Sequence, residues 1–235
     1  MKEYKAILFD LDGTLLPMDM DVFMKAYFKE LCVSLAKYGV PAEKLVQCVW
    51  AGTKSMVKND GSVTNDKRFW DTFLSLTGIV SDTILDETEY FYSHEFNRAR
   101  HATGENLLAR ETVEAARGKG RKVVLATNPL FPMAAQISRI SWIGLAPDDF
   151  DLITAYETDS YCKPNPAYYA EICARIGVSP DECLMIGNDV GEDMLAAMAA
   201  GIDGYLITDC MILAETEWTG PSGTYLDMLE MLKIL

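Results

Sequence analysis

Short, nearly continuous apolar runs rich in Val, Ile and Leu punctuate the chain at residues 6–9, 123–126, 152–154, 184–186 and 205–207. Runs of this length and composition predict strands buried on both faces, as in a parallel sheet. Helical stretches lie between them, at residues 105–118, 131–140, 166–176 and 193–200, and the last stops at Gly201, a good C-terminal breaker. Strands alternating with helices predict a doubly wound α/β architecture.

One interval breaks this rhythm. The gap from Asp12 to Val123 far exceeds the roughly 30 residues of a βαβ unit. Phe23, Tyr27, Leu31 and Leu35 recur within it every fourth residue, as the apolar face of a helix does, and residues 45–57, 69–76 and 83–96 also read as helices. The pattern therefore predicts a smaller all-helical domain at residues 16–102, inserted into an α/β core made of residues 1–15 and 103–235. Leu16-Pro17-Met18-Asp19 and His101-Ala102-Thr103-Gly104 are its candidate hinges.

Composition narrows the functional classes. At 235 residues and 49% hydrophobic, without repeats or low-complexity tracts, the chain is long and apolar enough to bury a substantial interior. The first apolar run is too short for a signal peptide, and no segment approaches the about 18 apolar residues of a membrane span. A soluble, cytoplasmic protein with no membrane partner is expected, either monomer or homodimer. The six cysteines show no C-x-x-C spacing, and several sit in apolar runs, as thiols do in a reducing compartment. A formal net charge of −14 argues against a nucleic-acid partner.

The candidate chemistry lies in four segments, three of them at the end of an apolar run. Phe9-Asp10-Leu11-Asp12-Gly13-Thr14 places two carboxylates at one strand exit, and residues two apart on an extended strand face the same side. Downstream come Leu125-Ala126-Thr127-Asn128, Lys163-Pro164-Asn165-Pro166 and Met185-Ile186-Gly187-Asn188-Asp189-Val190-Gly191-Glu192-Asp193. Each alone has an ordinary structural explanation, as an acidic turn, a helix cap, a surface Lys-Pro or an acidic helix start. Open parallel sheets gather such segments at the carboxyl ends of their strands, so the four together predict one site.

In these four ordered motifs the chain resembles the haloacid dehalogenase superfamily of phosphohydrolases. The resemblance implies a Rossmann-like sheet with a helical cap placed between the first and second motifs. It also implies Asp10 as nucleophile, Asp12 as general acid and base, Thr127 and Lys163 as a phosphate clamp, and Asp189 as a magnesium ligand with Asp193 beside it. Asn188 departs from the pattern, since many members carry Gly-Asp directly.

The residue types suit that chemistry in their own right. Phosphoryl transfer needs positioning and charge stabilisation around an anionic group. Asp10, Asp189 and Asp193, with a backbone carbonyl such as that of Asp12, offer the hard oxygens that Mg²⁺ prefers. Lys163 adds a positive charge, while Thr127 and Asn128 offer a hydroxyl and backbone N–H groups to phosphate oxygens. A carboxylate such as Asp10 can accept the phosphoryl group, and Asp12 can move the protons.

The expected activity is thus Mg²⁺-dependent hydrolysis of a small phosphorylated metabolite. A sugar-phosphate mutase and a receiver-like signalling phosphoacceptor are the alternatives, and the long insertion after Asp12 speaks against the second. Dehalogenation has no need of an acid at Asp12, and phosphonate hydrolysis would require a Schiff-base lysine, for which Lys54 and Lys58 are unmarked candidates. Trp50, Lys54, Lys58, Arg68 and Trp70 are candidate substrate contacts of the helical domain, while His94 and His101 read as ordinary helix or hinge residues.

Overall fold

The computed structural model describes residues Lys2–Leu235. Its centre is a six-stranded sheet, all parallel, built from β1 (Ala6–Phe9), β2 (Lys122–Leu125), β3 (Leu152–Ile153), β4 (Cys183–Gly187), β5 (Asp203–Ile207) and β6 (Ser222–Gly223) in the order β3-β2-β1-β4-β5-β6. The order reverses direction at β1, so β2 and β4 flank it and the carboxyl ends of all three open into one crevice. That is the topological switch point where open α/β sheets bind ligands. The two-residue β6 escaped the sequence pattern because Ser222-Gly223 carries no apolar signal.

Period-two alternation divides the central strands between two apolar layers. Ile7, Phe9, Val123, Leu125, Leu184 and Ile186 face one side, while Ala6, Leu8, Val124, Cys183 and Met185 face the other. In chain order the α-helices are α1 (Met20–Leu35), α2 (Ala42–Val57), α3 (Asn65–Thr77), α4 (Ser81–Ser93), α5 (Ala109–Arg117), α6 (Met133–Trp142), α7 (Pro166–Ile176), α8 (Ala196–Ala199) and α9 (Tyr225–Ile234). Helices α5, α6 and α9 cover the first face; α7 and α8 cover the second.

Local chemistry sets several boundaries. Asp19 caps α1 by accepting from the Val22 N–H at 3.1 Å. Asn165 caps α7 through the Ala167 N–H at 3.0 Å, with Pro166 in the first turn and left-handed Gly177 closing the end. The expected helix at 193–200 is different: the chain enters at Val190 through one turn of π-helix, Val190–Leu195, before the short α8. Such i→i+5 turns occur frequently at functional sites.

Helices α1–α4 and a 3₁₀ segment, Glu95–Ala102, fill the long interval between β1 and β2. Entry and exit run side by side, with Met18 bridged to Thr103 and the Gly104 N–H donating to Pro17 O at 2.7 Å. Phe23, Tyr27, Leu31 and Leu35, the predicted stripe of α1, are all buried. They join Phe73, Phe91 and Phe96 in an apolar cluster that continues without interruption into the first face of the sheet. The seam also carries polar bonds: Asn65 N–H to Asp159 O and Asp66 N–H to Tyr156 O, both 2.9 Å, and Trp142 Nε1 to Asn97 Oδ1 at 2.7 Å. Among the described residues no helix is long and apolar enough to cross a membrane.

Candidate active site

Asp10 follows the last residue of β1, and its backbone N–H is fixed to Ile186 O on β4 at 2.9 Å. Its side chain meets Lys163, whose Nζ donates to Asp10 Oδ1 at 2.8 Å and to Asp193 Oδ1 at 2.6 Å. Burial alone would strip the proton from Lys163; the carboxylates of Asp10 and Asp193 more than offset it, and the ammonium is held well above its ordinary pKa. Burial also pushes the Asp193 carboxyl up, against the pull of Lys163. The other Asp193 oxygen accepts the Asp189 N–H at 3.0 Å, so this side chain joins the lysine to the backbone of the fourth motif. Gly187 makes room for it: a Cβ there would stand 2.2 Å from Asp193 Oδ2.

Asp189 caps the π-turn with one oxygen, Oδ1, which accepts the Gly191 and Glu192 N–H groups at 2.8 Å each. Thr127, just beyond β2, is buried, and its carbonyl accepts from Thr154 Oγ1 at 2.6 Å and Tyr168 OH at 2.8 Å. The Asn128 amide donates to Glu192 Oε2 at 2.9 Å. Burial raises the Glu192 carboxyl above its usual range, with Lys163 and the Asn128 bond opposing the shift. Asp10, Asp12, Thr127, Asn128, Asp189 and Asp193 all line one cavity of about 320 Å³, whereas Lys163 stands behind Asp10.

Asp12 has a partner that motif reasoning missed. Its Oδ2 pairs with Nη1 of Arg139, a fully buried residue of α6. Arg139 also bonds Gln136 and lies 4.5 Å over the Phe131 ring. The second Asp12 oxygen is buried and has no hydrogen-bond partner. Burial pushes the Asp12 carboxyl up, and Arg139 only partly offsets it, a setting suited to a group that must both give and take a proton. The available signal was an arginine and a glutamine three apart, a spacing that puts both on one face of the helix, and that face is buried.

Asn188 also finds its role. Its Oδ1 accepts from Thr14 Oγ1 at 3.0 Å and its Nδ2 donates to Cys210 O at 2.7 Å, tying the turn after β1 to the loop after β5. Gly13, at φ +89°, is required there twice over, since any Cβ would lie 2.4 Å from the Asn188 amide.

Of the candidate contacts from the helical insertion, Trp50 and Trp70 line the cavity. Lys54, Lys58 and Arg68 are absent from its lining, and Arg68 instead braces the turn before α3 through Asp60 Oδ1 at 2.6 Å and Asn59 Oδ1 at 2.9 Å. His94 and His101 bond backbone carbonyls one turn back, those of Tyr90 and Arg98. All six cysteines are free thiols.

Among the described residues no three His, Cys, Asp or Glu side chains gather as a ready-made metal cage. Magnesium does not require one: it is usually held by one or two carboxylates and completes its shell with water and substrate phosphate. Lys163 takes one oxygen of Asp10 and the π-turn takes one of Asp189, which leaves each carboxylate a second oxygen. That donor set fits the ion, with the Asp12 carbonyl as a third oxygen. Both oxygens of Asp193 are engaged by Lys163 and the Asp189 N–H, an arrangement that supports a positioning role more than direct ligation.

The parallel sheet, the crevice at its switch point and these four segments give an α/β fold with its acidic side chains gathered at the strand ends. Residues 4–201 match the family model of the haloacid dehalogenase-like hydrolases, and the chain belongs to that family. It is 26% identical over 198 residues to the phosphoglycolate phosphatase of Nitrosospira multiformis, covering 84% of this chain and 80% of that one. A crystallised HAD phosphatase from Thermococcus onnurineus superposes with a TM-score of 0.63 at 20% identity, over 97% of both chains. YfnB of Bacillus subtilis, whose crystal form is bound to magnesium, superposes at 0.59 with 19% identity over the full length of both.

Proposed function

We propose that this enzyme, a phosphoric monoester hydrolase, cleaves a small phosphorylated metabolite through an aspartyl-phosphate on Asp10, with the helical insertion acting as a cap over the site. The observation that carries the proposal is the buried Asp10–Lys163–Asp193 triad at the sheet's switch point, beside a second, separately held carboxyl at Asp12.

Asp10 attacks phosphorus through its carboxylate, and the bond from phosphorus to the ester oxygen breaks. Asp12, whose carboxyl burial raises, gives its proton to the departing oxygen. It then takes one from the water that attacks the phosphorus of the acyl phosphate, releasing inorganic phosphate and restoring Asp10. The Thr127 hydroxyl and the backbone N–H groups near Asn128 hold the phosphoryl oxygens, while Lys163 holds Asp10 from behind and offsets the negative charge that gathers there. Magnesium bound between Asp10 and Asp189 would supply the charge neutralisation that lets an anionic nucleophile approach an anionic phosphoryl group. Arg139 keeps Asp12 oriented and balances its charge once the proton has left.

Phosphate release from a panel of phosphomonoesters, in Mg²⁺ or in EDTA, tests this. Release that needs Mg²⁺ and falls by at least about 10⁴-fold in Asp10→Asn is the expected result. Release that persists in that variant would overturn the nucleophile, and transfer of phosphate to a second hydroxyl of the substrate without release would mark a mutase.

A further inference from the structure

The cavity that holds the site continues into the helical insertion, and its two ends differ in chemistry. At the sheet end lie five acidic side chains: Asp10, Asp12, Asp189, Glu192 and Asp193. At the far end the lining is Phe28, Trp50, Phe69, Trp70, Phe73 and Tyr92, together with methionine and aliphatic side chains. No Lys, Arg or His lines the cavity anywhere among the described residues. The two nearest buried cations, Lys163 and Arg139, are each committed to carboxylates.

The few polar groups at the far end are mostly spent. Thr53 and Thr88 donate to carbonyls of their own helices, Val49 O at 3.0 Å and Ile84 O at 2.9 Å. The Tyr27 and Tyr92 hydroxyls bond each other at 2.8 Å. A carboxylate or second phosphate carried there would be desolvated without a counter-charge and would face net negative charge at the sheet end, a heavy penalty. A flat, uncharged ring would instead gain apolar burial and edge-to-face contacts with rings already arranged that way, such as Trp70 against Phe73 at 5.6 Å and 84°.

Size agrees with this. An apolar cavity of about 150 Å³ takes up benzene, so about 320 Å³ accommodates one ring and a phosphoryl group. The mouth is apolar as well: Met20, Trp50 and Ile212 line it and are 40%, 49% and 43% exposed.

We infer that the substrate is a phosphomonoester whose leaving group is an uncharged, single-ring alcohol, bound with its ring in the aromatic end of the cavity. The inference rests on the phosphatase proposal above, and two measurements separate their failures. In the first, kcat/KM is compared for benzyl phosphate, phosphoglycolate, glyceraldehyde 3-phosphate and phosphocholine. Preference for benzyl phosphate over phosphoglycolate by at least about 100-fold is expected. Equal or better use of either small polar ester overturns the inference while leaving the phosphatase intact, and phosphocholine as the best substrate would replace it with a cationic leaving group.

The second measurement needs no turnover. Quenching of tryptophan fluorescence by benzylphosphonate should occur at a concentration at least about tenfold below that of phosphonoacetate, because Trp50 and Trp70 stand in the cavity wall. Trp50→Arg, at a half-exposed position that tolerates the change, should narrow that preference about tenfold. A preference for phosphonoacetate in the wild-type protein, or a ratio unmoved by Trp50→Arg, would overturn the ring assignment even if no ester in the panel were hydrolysed.

Discussion

The cavity has two walls made under opposite rules. On the sheet wall the buried cations answer the carboxylates directly: Lys163 meets Asp10 and Asp193, and Arg139 meets Asp12. The wall formed by the helical insertion carries no charge: it is made of rings, aliphatic side chains and a few hydroxyls already bonded within the insertion. Phosphoryl transfer dictates the first, because an anionic group must be gripped by groups of fixed charge in fixed places. What the second wall holds depends on the alcohol half of the ester, which the reaction leaves unspecified. Breaking each wall separately therefore tests whether chemistry and selectivity are as divided as the geometry suggests.

The largest effect is expected at the charged wall. Lys163→Met leaves Asp10 and Asp193 buried side by side without a cation, and removing one partner of a buried ion pair costs about 3–5 kcal/mol. For a chain of this size that corresponds to a fall in Tm of about 6–20 °C, readable by calorimetry or circular dichroism. An unchanged Tm would show that the lysine is not the keystone of that wall.

Next in size is the pair that holds Asp12, the proposed proton carrier. Arg139→Met strands the Asp12 carboxylate, Asp12→Asn strands the guanidinium, and each alone should destabilise by about 3 kcal/mol. Made together they remove both charges, so the double variant should recover about 1–3 kcal/mol relative to the sum of the singles. Additive losses would mean that the two groups do not communicate. Turnover separates the roles: Asp12→Asn should lose about 10²–10⁴-fold, whereas Arg139→Met keeps a carboxyl at position 12 and should lose less.

These two cases show what the sequence could and could not say. Asp10, Thr127 and Asp189 were legible because each sits just past the end of an apolar run, and strand ends converge in a parallel sheet; Lys163, ten residues past β3, was legible only from its place in the order of the four segments. The helical insertion was legible from the length of the interval and the four-residue period of Phe23, Tyr27, Leu31 and Leu35. Arg139 was not, because its partner is 127 residues away: the spacing of Gln136 and Arg139 puts both on one face of Met133–Trp142 without saying which carboxylate that face meets. The aromatic end of the cavity was hidden for the same reason: it draws rings from α1, α2, α3 and α4, and only their packing separates a cavity wall from an ordinary core. Lys54, Lys58 and Arg68 show the converse, since cations in the helical insertion attract attention by charge while the cavity wall uses none of them.

A smaller effect is expected where the two walls are joined. Asn65 donates from Nδ2 to Tyr161 O at 3.3 Å and accepts from Asn59 Nδ2 at 2.9 Å, at the seam between α3 and the loop before α7. Asn65→Ala removes both bonds, leaving Asn59 Nδ2 only its bond to Val63 O, and should cost about 1–2 kcal/mol. Because the apolar cluster runs unbroken from α1 to the sheet, the loss should appear as a shift of one cooperative transition. A second, earlier transition would show instead that the helical insertion melts on its own.

The smallest effect belongs to the turn that leads into α3. Asp60 accepts from the Ser62 hydroxyl at 2.6 Å, the Ser62 N–H at 3.1 Å and Arg68 Nη2 at 2.6 Å, and these bonds hold its carboxyl down at about 2. A carboxyl whose pKa is lower in the folded chain than in the unfolded one adds stability above its unfolded value of 3.8, and that contribution is lost as pH falls through about 2. Asp60→Asn should therefore lower Tm by about 1 °C or less at pH 7, given that the group is exposed and screened by solvent. The gap should narrow as the pH drops below 3.8 and should shrink in high salt. A gap that widened under acid would mean that the turn is held by its hydrogen bonds without their charge, and that Arg68 braces this edge of the aromatic wall by shape alone.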